Sequence, residues 1–304
     1  MRHIKAVVLI ALLYLCVPAS VFGWSKAGHM LTGALAYYEL QARDPMALAR
    51  VISLLKKHPA YELEWAPAIA DFPDASADTE GLYLFMYAAR WPDDIRDDPD
   101  LHCEECHYIN YPFRPPGQPS SVVIQQPATN NVVSAFQRML AILRGDNSDA
   151  VKAMALCWVF HLTGDVHQPL HTSAIFTTQF PHGDRGGTRF YIRVTPDSPT
   201  IHLHRLWDGL IQGSERFGSV QNRARNFRSR PELRRTVLSE LSETRFERWA
   251  RTESFEAAKQ HGYVNGTLSG STNGNNGAVL PGGYVSNAQG IAIRRAMLAD
   301  CVSR

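Results

Sequence analysis

The stretch Asp149 to Asp165, DAVKAMALCWVFHLTGD, limits what this chain can fold into more than any other. Met154, Trp158, His161 and Asp165 recur at helical spacing, so an imidazole and a carboxylate extend the apolar face of a helix instead of its solvated face. An unpaired buried carboxylate costs several kcal/mol, so the fold must bring Asp165 a cation or strong donors. Val166-His167-Gln168-Pro169-Leu170-His171 follows directly, where Pro169 stops the helix and turns His171 back. Standing alone, such a pair reads as a core histidine hydrogen-bonded to an aspartate.

The pair does not stand alone. The same one-turn spacing recurs in His204-Arg205-Leu206-Trp207-Asp208, beside Leu203 and Ile211, which read as core. Trp91-Pro92-Asp93-Asp94-Ile95-Arg96 ends a helical run with an acid near an arginine, His107 opens His107-Tyr108-Ile109-Asn110, and His29 lies five residues after Trp24. Mixed imidazole and carboxylate sets are what Zn²⁺ takes. Five histidines and three aspartates exceed one tetrahedral ion and suit a cluster with a bridging carboxylate.

Helical apolar periods run over Pro45–His58, Gly81–Trp91, Asn131–Leu143, Asp149–Asp165, His202–Ile211 and on toward Arg225, Pro231–Lys259 and Asn287–Val302. Strand-like alternation is confined to short pieces such as Thr188–Val194. Tyr111–Asn130, rich in Pro, Ser and Gln, reads as irregular, and Asn265–Gly283 as a Gly/Asn/Ser loop. The expected fold is a mainly α single domain with long functional loops.

Arg2, His3 and Lys5, the apolar Val7–Val17 and the small exit ending at Gly23 have the order of a signal peptide. Eleven apolar residues are too few to span a bilayer. Cleavage after Gly23 leaves residues 24–304 as the working domain, secreted or periplasmic, with Trp24 as its amino terminus. Losing Arg2 and Lys5 leaves 29 basic against 29 acidic residues, so the diffuse basic character of duplex-DNA binders is absent and any phosphate must be bound locally. An oxidising compartment allows Cys103, Cys106, Cys157 and Cys301 up to two disulfides, in pairings that the sequence leaves open.

Cys103-Glu104-Glu105-Cys106-His107 competes with the metal reading, because it matches the C-x-x-C-H pattern of haem attachment in exported c-type cytochromes. It uses one histidine and leaves the His/Asp pairs unexplained. With His107 as a zinc ligand, Cys103 and Cys106 form either a local disulfide or a reduced pair.

The ordered set Trp24, His29, Trp91-Pro92-Asp93, His107-Tyr108-Ile109-Asn110, His161 through His171 and Leu203-His204-Arg205-Leu206-Trp207-Asp208 resembles the S1/P1 family of zinc-dependent single-strand nucleases. The resemblance extends to the last helix, and its most specific part is Gly164-Asp165-Val166-His167-Gln168-Pro169-Leu170-His171. It implies a helical fold, shared with zinc-dependent phospholipase C, that holds three zinc ions. Asp93, His107, His161 and Asp165 would hold the first. The α-amino and carbonyl groups of Trp24, with His29 and a bridging Asp165, would hold the second. His171, His204 and Asp208 would hold a third, more exposed ion.

The resemblance further implies hydrolysis of single-stranded DNA and RNA to 5′-phosphorylated products, with 3′-nucleotidase activity as a possible addition. Asp93, Arg96 and Asp165 would act at the reacting phosphate. Tyr108 would stack a base, and Asn110 stands where fungal members carry a base-binding acid. A phospholipase C typically has Glu at the position of Asp208 and no arginine at that of Arg96, so both features favour the nuclease. The expected partner is single-stranded nucleic acid; no protein partner is expected.

Overall fold

Short polar side chains begin the principal helices of the computed structural model, which describes residues 24–74 and 76–299. Ser25 Oγ accepts the Gly28 N–H at the head of α1 (Lys26–Arg43). Asp44 accepts the Ala47 N–H at the head of α2 (Pro45–Leu55), where Pro45 takes a position that needs no N–H. A short α3 (Ala66–Ala70) follows. Ser76 caps α4 (Ala77–Asp94), Asn131 and Ser134 form a capping box on α5 (Val132–Arg144), and Ser148 caps α6 (Asp149–His167). Helices α1, α4 and α6 pack together at the centre, and α5 lies against α6.

Small residues set how closely these helices approach. A Cβ at Gly33 would lie 2.3 Å from the Phe85 carbonyl oxygen, so α1 and α4 approach backbone to backbone there. A Cβ at Gly164 would lie 2.9 Å from His29 Nδ1, which seats the His29 ring directly on α6.

The β structure is slight. β1 (Tyr111–Phe113) pairs in parallel with β2 (Ser173–Ile175), in the register Tyr111 to Ser173. β3 (Tyr191–Arg193) lies between antiparallel β4 (Ile201–His202) and parallel β5 (Ala278–Val279). Beyond β4, α7 (Leu203–Asp208) carries His204 and Asp208, and α8 (Phe217–Ser229) packs on α1. α9 (Phe246–Arg248) and α10 (Phe255–Ala257) are joined and continued by π-helical turns as far as Gly262. α11 (Tyr284–Leu298) ends the described chain, and the Tyr284 hydroxyl accepts from Trp207 Nε1 at 2.9 Å, fixing the base of α7.

The mainly helical character and the long loops agree with the sequence reading; several boundaries differ. The period over His202–Ile211 does not run on toward Arg225, because α7 ends at Gly209 and Gly213, at φ 138°, turns the chain before α8. Pro231–Ser242 forms three 3-10 turns instead of a helix, with Leu233, Leu238 and Leu241 buried. The irregular stretch contains β1, and α11 starts three residues earlier than its period suggested. The signal-peptide segment and Cys301 lie outside the described residues.

Candidate metal centre

Three of the histidines are held by backbone carbonyls. His161 Nδ1–H donates to the Ala89 carbonyl (2.8 Å), His171 Nδ1–H to that of His107 (2.7 Å) and His204 Nδ1–H to that of Gly186 (2.6 Å). Each bond fixes the tautomer and leaves an Nε2 lone pair aimed inward. His171 Nε2 and His204 Nε2 then face each other at 3.1 Å. Two lone pairs do not attract, so a proton or a cation belongs between them.

The carboxylates converge on the same space. Asp165 Oδ2 is 3.0 Å from His107 Nδ1 and 3.2 Å from His161 Nε2, while its Oδ1 is 3.4 Å from His29 Nε2. Asp93 Oδ1 lies 3.8 Å from His161 Nε2, and Asp93 Oδ2 4.0 Å from His29 Nε2. The His29 and His161 rings stack at 3.9 Å. On the other side, Asp208 Oδ1 is 3.6 Å from His204 Nε2 and accepts from Gln168 Nε2 at 2.7 Å. Asp165 Oδ1, Asp93 Oδ2, both ring nitrogens of His29 and His107 Nε2 are buried with no hydrogen-bond partner among the described residues. Such orphaned acceptors fit a cation site, because a fold seldom leaves so many buried polar atoms unsatisfied.

Three sets present ligand atoms all within 4.8 Å of one another: His29, Asp93 and His161; His107, His161 and Asp165; and His171, His204 and Asp208. The first two share His161, so they form one continuous pocket in which Asp165 touches both sides. All eight side chains are buried. Asp208, at 6% exposed, is the most accessible of the eight.

The electrostatics point the same way. Burial opposes the charge on Asp165, but His161, His171 and His107 outweigh it and hold the carboxyl well below its usual range. Burial likewise opposes the His161 cation, yet Asp165 and Asp93 raise it to about 9. Burial, aided by His161, lowers His29. Asp208 is pushed well above its usual value, first by burial and then by Asp165 and Asp93, against the Gln168 bond. A buried acid that resists ionising next to two other acids is in want of a positive charge.

The remaining sequence-predicted residues lie around this pocket. Trp24 is fully buried, its side chain against Gly28, and the next residue donates its N–H to the Asp208 carbonyl at 3.1 Å. Arg96 turns back on α4 to bond the Asp93 carbonyl (3.2 Å) and Asp93 Oδ1 (3.3 Å). The His107–Ile109 segment is tied to His171 twice, because Ile109 N–H donates to the His171 carbonyl at 2.8 Å. Tyr108 and Asn110 alternate with these anchors and are half-buried. Cys103 and Cys106 form a disulfide, which leaves neither sulfur for a haem thioether and removes the basis of the cytochrome reading. Cys157 is a buried free thiol.

Sequence reasoning missed three supports. Gln168 Nε2 orients Asp208 while its Oε1 accepts the Leu170 N–H at 2.6 Å; it stood inside the most specific string without a role. Gly186, at φ 62°, supplies the His204 anchor, and a Cβ there would lie 2.4 Å from the Leu170 carbonyl oxygen. Asp184, fully buried, accepts from the Ile175 N–H (2.9 Å) and from the Tyr263 hydroxyl (2.8 Å), and so holds the loop that bears Gly186. The run Gly183-Asp184-Arg185-Gly186-Gly187 was the available signal.

A sequence model of the S1/P1 nuclease family matches residues 24–301. Endonuclease 1 of Arabidopsis thaliana is 25% identical over 213 residues, covering 67% of this chain and 59% of that protein. Nuclease S1 of Aspergillus oryzae is 36% identical over 76 residues, or 25% of this chain and 23% of that protein. Endonuclease 3 of Arabidopsis thaliana is 32% identical over 83 residues. The matches thus span less than two thirds of the length of these relatives.

Proposed function

From its membership of the S1/P1 nuclease family, to which a match over residues 24–301 assigns the chain, we propose that this protein is an exported zinc-dependent phosphodiesterase. Its substrates are single-stranded DNA and RNA, its products carry 5′-phosphates, and 3′-nucleotidase activity accompanies the cleavage. One observation carries the reading: eight buried His and Asp side chains form three metal-sized sets in one space.

In this reading Asp93, His107, His161 and Asp165 hold one Zn²⁺, and His29, Asp165 and the amino and carbonyl groups of Trp24 hold another. His171, His204 and Asp208 hold a third. Signal cleavage becomes part of the chemistry, because a peptide-bonded Trp24 nitrogen is a poor ligand. Bound there, the ions lower the pKa of water toward neutrality and neutralise charge on phosphate and leaving oxygen.

The chain's own groups do the rest. Asp165, ionised and touching His29, His107 and His161, keeps the first two sets in fixed relation. Arg96 lies between solvent and the buried Asp93, where its guanidinium meets a phosphate oxygen and stabilises charge that grows during cleavage. Tyr108 offers an aromatic face to an unpaired base, and the Asn110 amide offers both a donor and an acceptor to its edge. Stacked duplex bases cannot present themselves in this way, which favours single strands.

Metal analysis of the matured protein, together with product analysis on single-stranded DNA, RNA and short-chain phosphatidylcholine, tests the reading. The expected result is about three zinc ions per chain and 5′-phosphorylated nucleotides. Active protein without zinc, or cleavage of the lipid alone, would overturn it.

A further inference from the structure

Away from the metal pocket, the chain concentrates charge. Residues 216–235 hold seven arginines and one acid, Glu232, within a sequence whose formal net charge is only +2. Most of these arginines lie on or beside α8, whose apolar Val220, Ala224 and Phe227 are buried, so its polar faces look outward. Arg216, Arg225, Arg228 and Arg234 are exposed, Arg230 is half-buried, and none of the five makes an ion pair among the described residues.

The surface is shaped as well as charged. One groove of about 880 Å³ is lined by Asn222, Asn226, Arg223, Arg230 and Gln289, with its floor at Leu210, two residues beyond Asp208. Arg223 is pinned there by the Gln212 (3.1 Å) and Ser214 (3.0 Å) carbonyls. Arg230 is braced by Asn226 Oδ1 at 2.9 Å and lies over the Phe227 ring. A second groove of about 430 Å³, on the other side of α8, is lined by Arg225, Arg228, Arg234 and Ser229, and its one acid, the buried Glu39, is paired with Arg235 at 3.0 Å. Arg228 is held over the Tyr38 ring at 5.2 Å. Braced guanidiniums lose little freedom on binding, and their planar fork matches a phosphate.

We infer that α8 and the loop to Arg235 form an exosite for the sugar–phosphate backbone of a polynucleotide, separate from the bond that is cut. The inference rests on the nucleic-acid reading above and deepens it. Repeated anionic charge suits two arginine-lined grooves side by side, and amide side chains in the larger groove suit sugar hydroxyls and base edges. A membrane surface suits it less, because the apolar side of α8 is buried against α1 and cannot insert. Long strands would be held at α8 while short ones gain nothing from it.

The test is the double variant Arg225→Ala/Arg234→Ala, which removes two exposed side chains that make no hydrogen bond or ion pair among the described residues. Binding of a fluorescent 30-nucleotide phosphorothioate single strand, which resists cleavage, to the zinc-loaded protein is followed against salt. Affinity should fall roughly tenfold, and the slope of log K against log salt should shrink by about 1.4, near 0.7 for each lost phosphate contact. In the zinc-loaded protein, KM for the long strand should rise, while kcat and the rate on a dinucleotide stay the same. Unchanged affinity and slope would overturn the exosite, as would equal losses on long and short substrates. Loss of binding to anionic phospholipid vesicles with strand binding intact would also overturn it. Failure of the nuclease reading shows separately, as a wild-type protein that cuts neither substrate.

Discussion

The two halves of the metal pocket are built differently. His29, Asp93, His161 and Asp165 project from α1, α4 and α6, three long helices packed at the centre of the fold, and His107 joins them from a 3-10 turn (Glu104–His107). His171, His204 and Asp208 come from a single 3-10 turn and the six-residue α7, held in place by the His107 and Gly186 carbonyls and by Gln168. Apart from His107, the first half owes its geometry to helix packing, which costs many apolar contacts to disturb. The second owes it to a few hydrogen bonds, each contributing about 1–2 kcal/mol. Ligand position should therefore be stiff on one side and easily loosened on the other.

Asp165→Asn should give the largest effect, because that carboxylate touches both sets on the helical side. Activity should fall by roughly a thousandfold or more, as expected when ligation and charge are lost together, while helical circular dichroism persists. Activity near wild type would remove Asp165 as the bridge. Next comes an extra Met before Trp24. Trp24 belongs to the helical side through Gly28 and reaches the other through the Ser25 bond to Asp208. Blocking its amine should cost one metal ion and about a hundredfold in rate. A fully active Met-Trp24 protein with all its zinc would exclude amine ligation.

Gln168→Met sharpens the comparison directly, since it keeps side-chain volume and removes the donor to Asp208. The expected outcome is selective loss of one metal by elemental analysis, with activity down about 10- to 100-fold. Equal weakening of all three sites would show that the halves are coupled and that the distinction fails.

The same contrast governs what could be read in advance. His161 and Asp165 stood out because α6 carries them at helical spacing among apolar residues, and the His204–Asp208 pair repeats the pattern. α1 escaped notice although it bears His29: residues 27 to 37 are buried on all sides, so no polar face gives a period, and Gly28 and Gly33 lower its apparent helix propensity. Those glycines are required by the Trp24 and Phe85 contacts, which no local pattern reveals. Gln168, Asp184 and Gly186 act through bonds to Asp208, Tyr263 and His204, 18 to 79 residues away, and carry no periodic signal. The disulfide was open in the sequence because two cysteines three residues apart serve several chemistries.

Asp184 offers the finest test, since it supports the looser half without touching a ligand. Burial raises its carboxyl from the usual 3.8 to about 7, against the bonds from Ile175 and Tyr263. The folded state therefore keeps a proton that the unfolded chain releases near pH 4. That contribution to stability is complete below pH 4 and is lost as pH rises toward 7, by an amount on the order of 4 kcal/mol at most. Asn at this position accepts from Ile175 equally well and never ionises, so it lacks the loss. The wild type should thus lose more thermal stability between pH 5 and pH 8 than Asp184→Asn, by a few degrees in Tm. A metal held as proposed by His171, His204 and Asp208 should also leave the wild type more readily at the alkaline end, as the loop carrying the Gly186 carbonyl relaxes. Parallel Tm curves would mean that Asp184 ionises without strain and that the loop-borne half is as firmly set as the helical one.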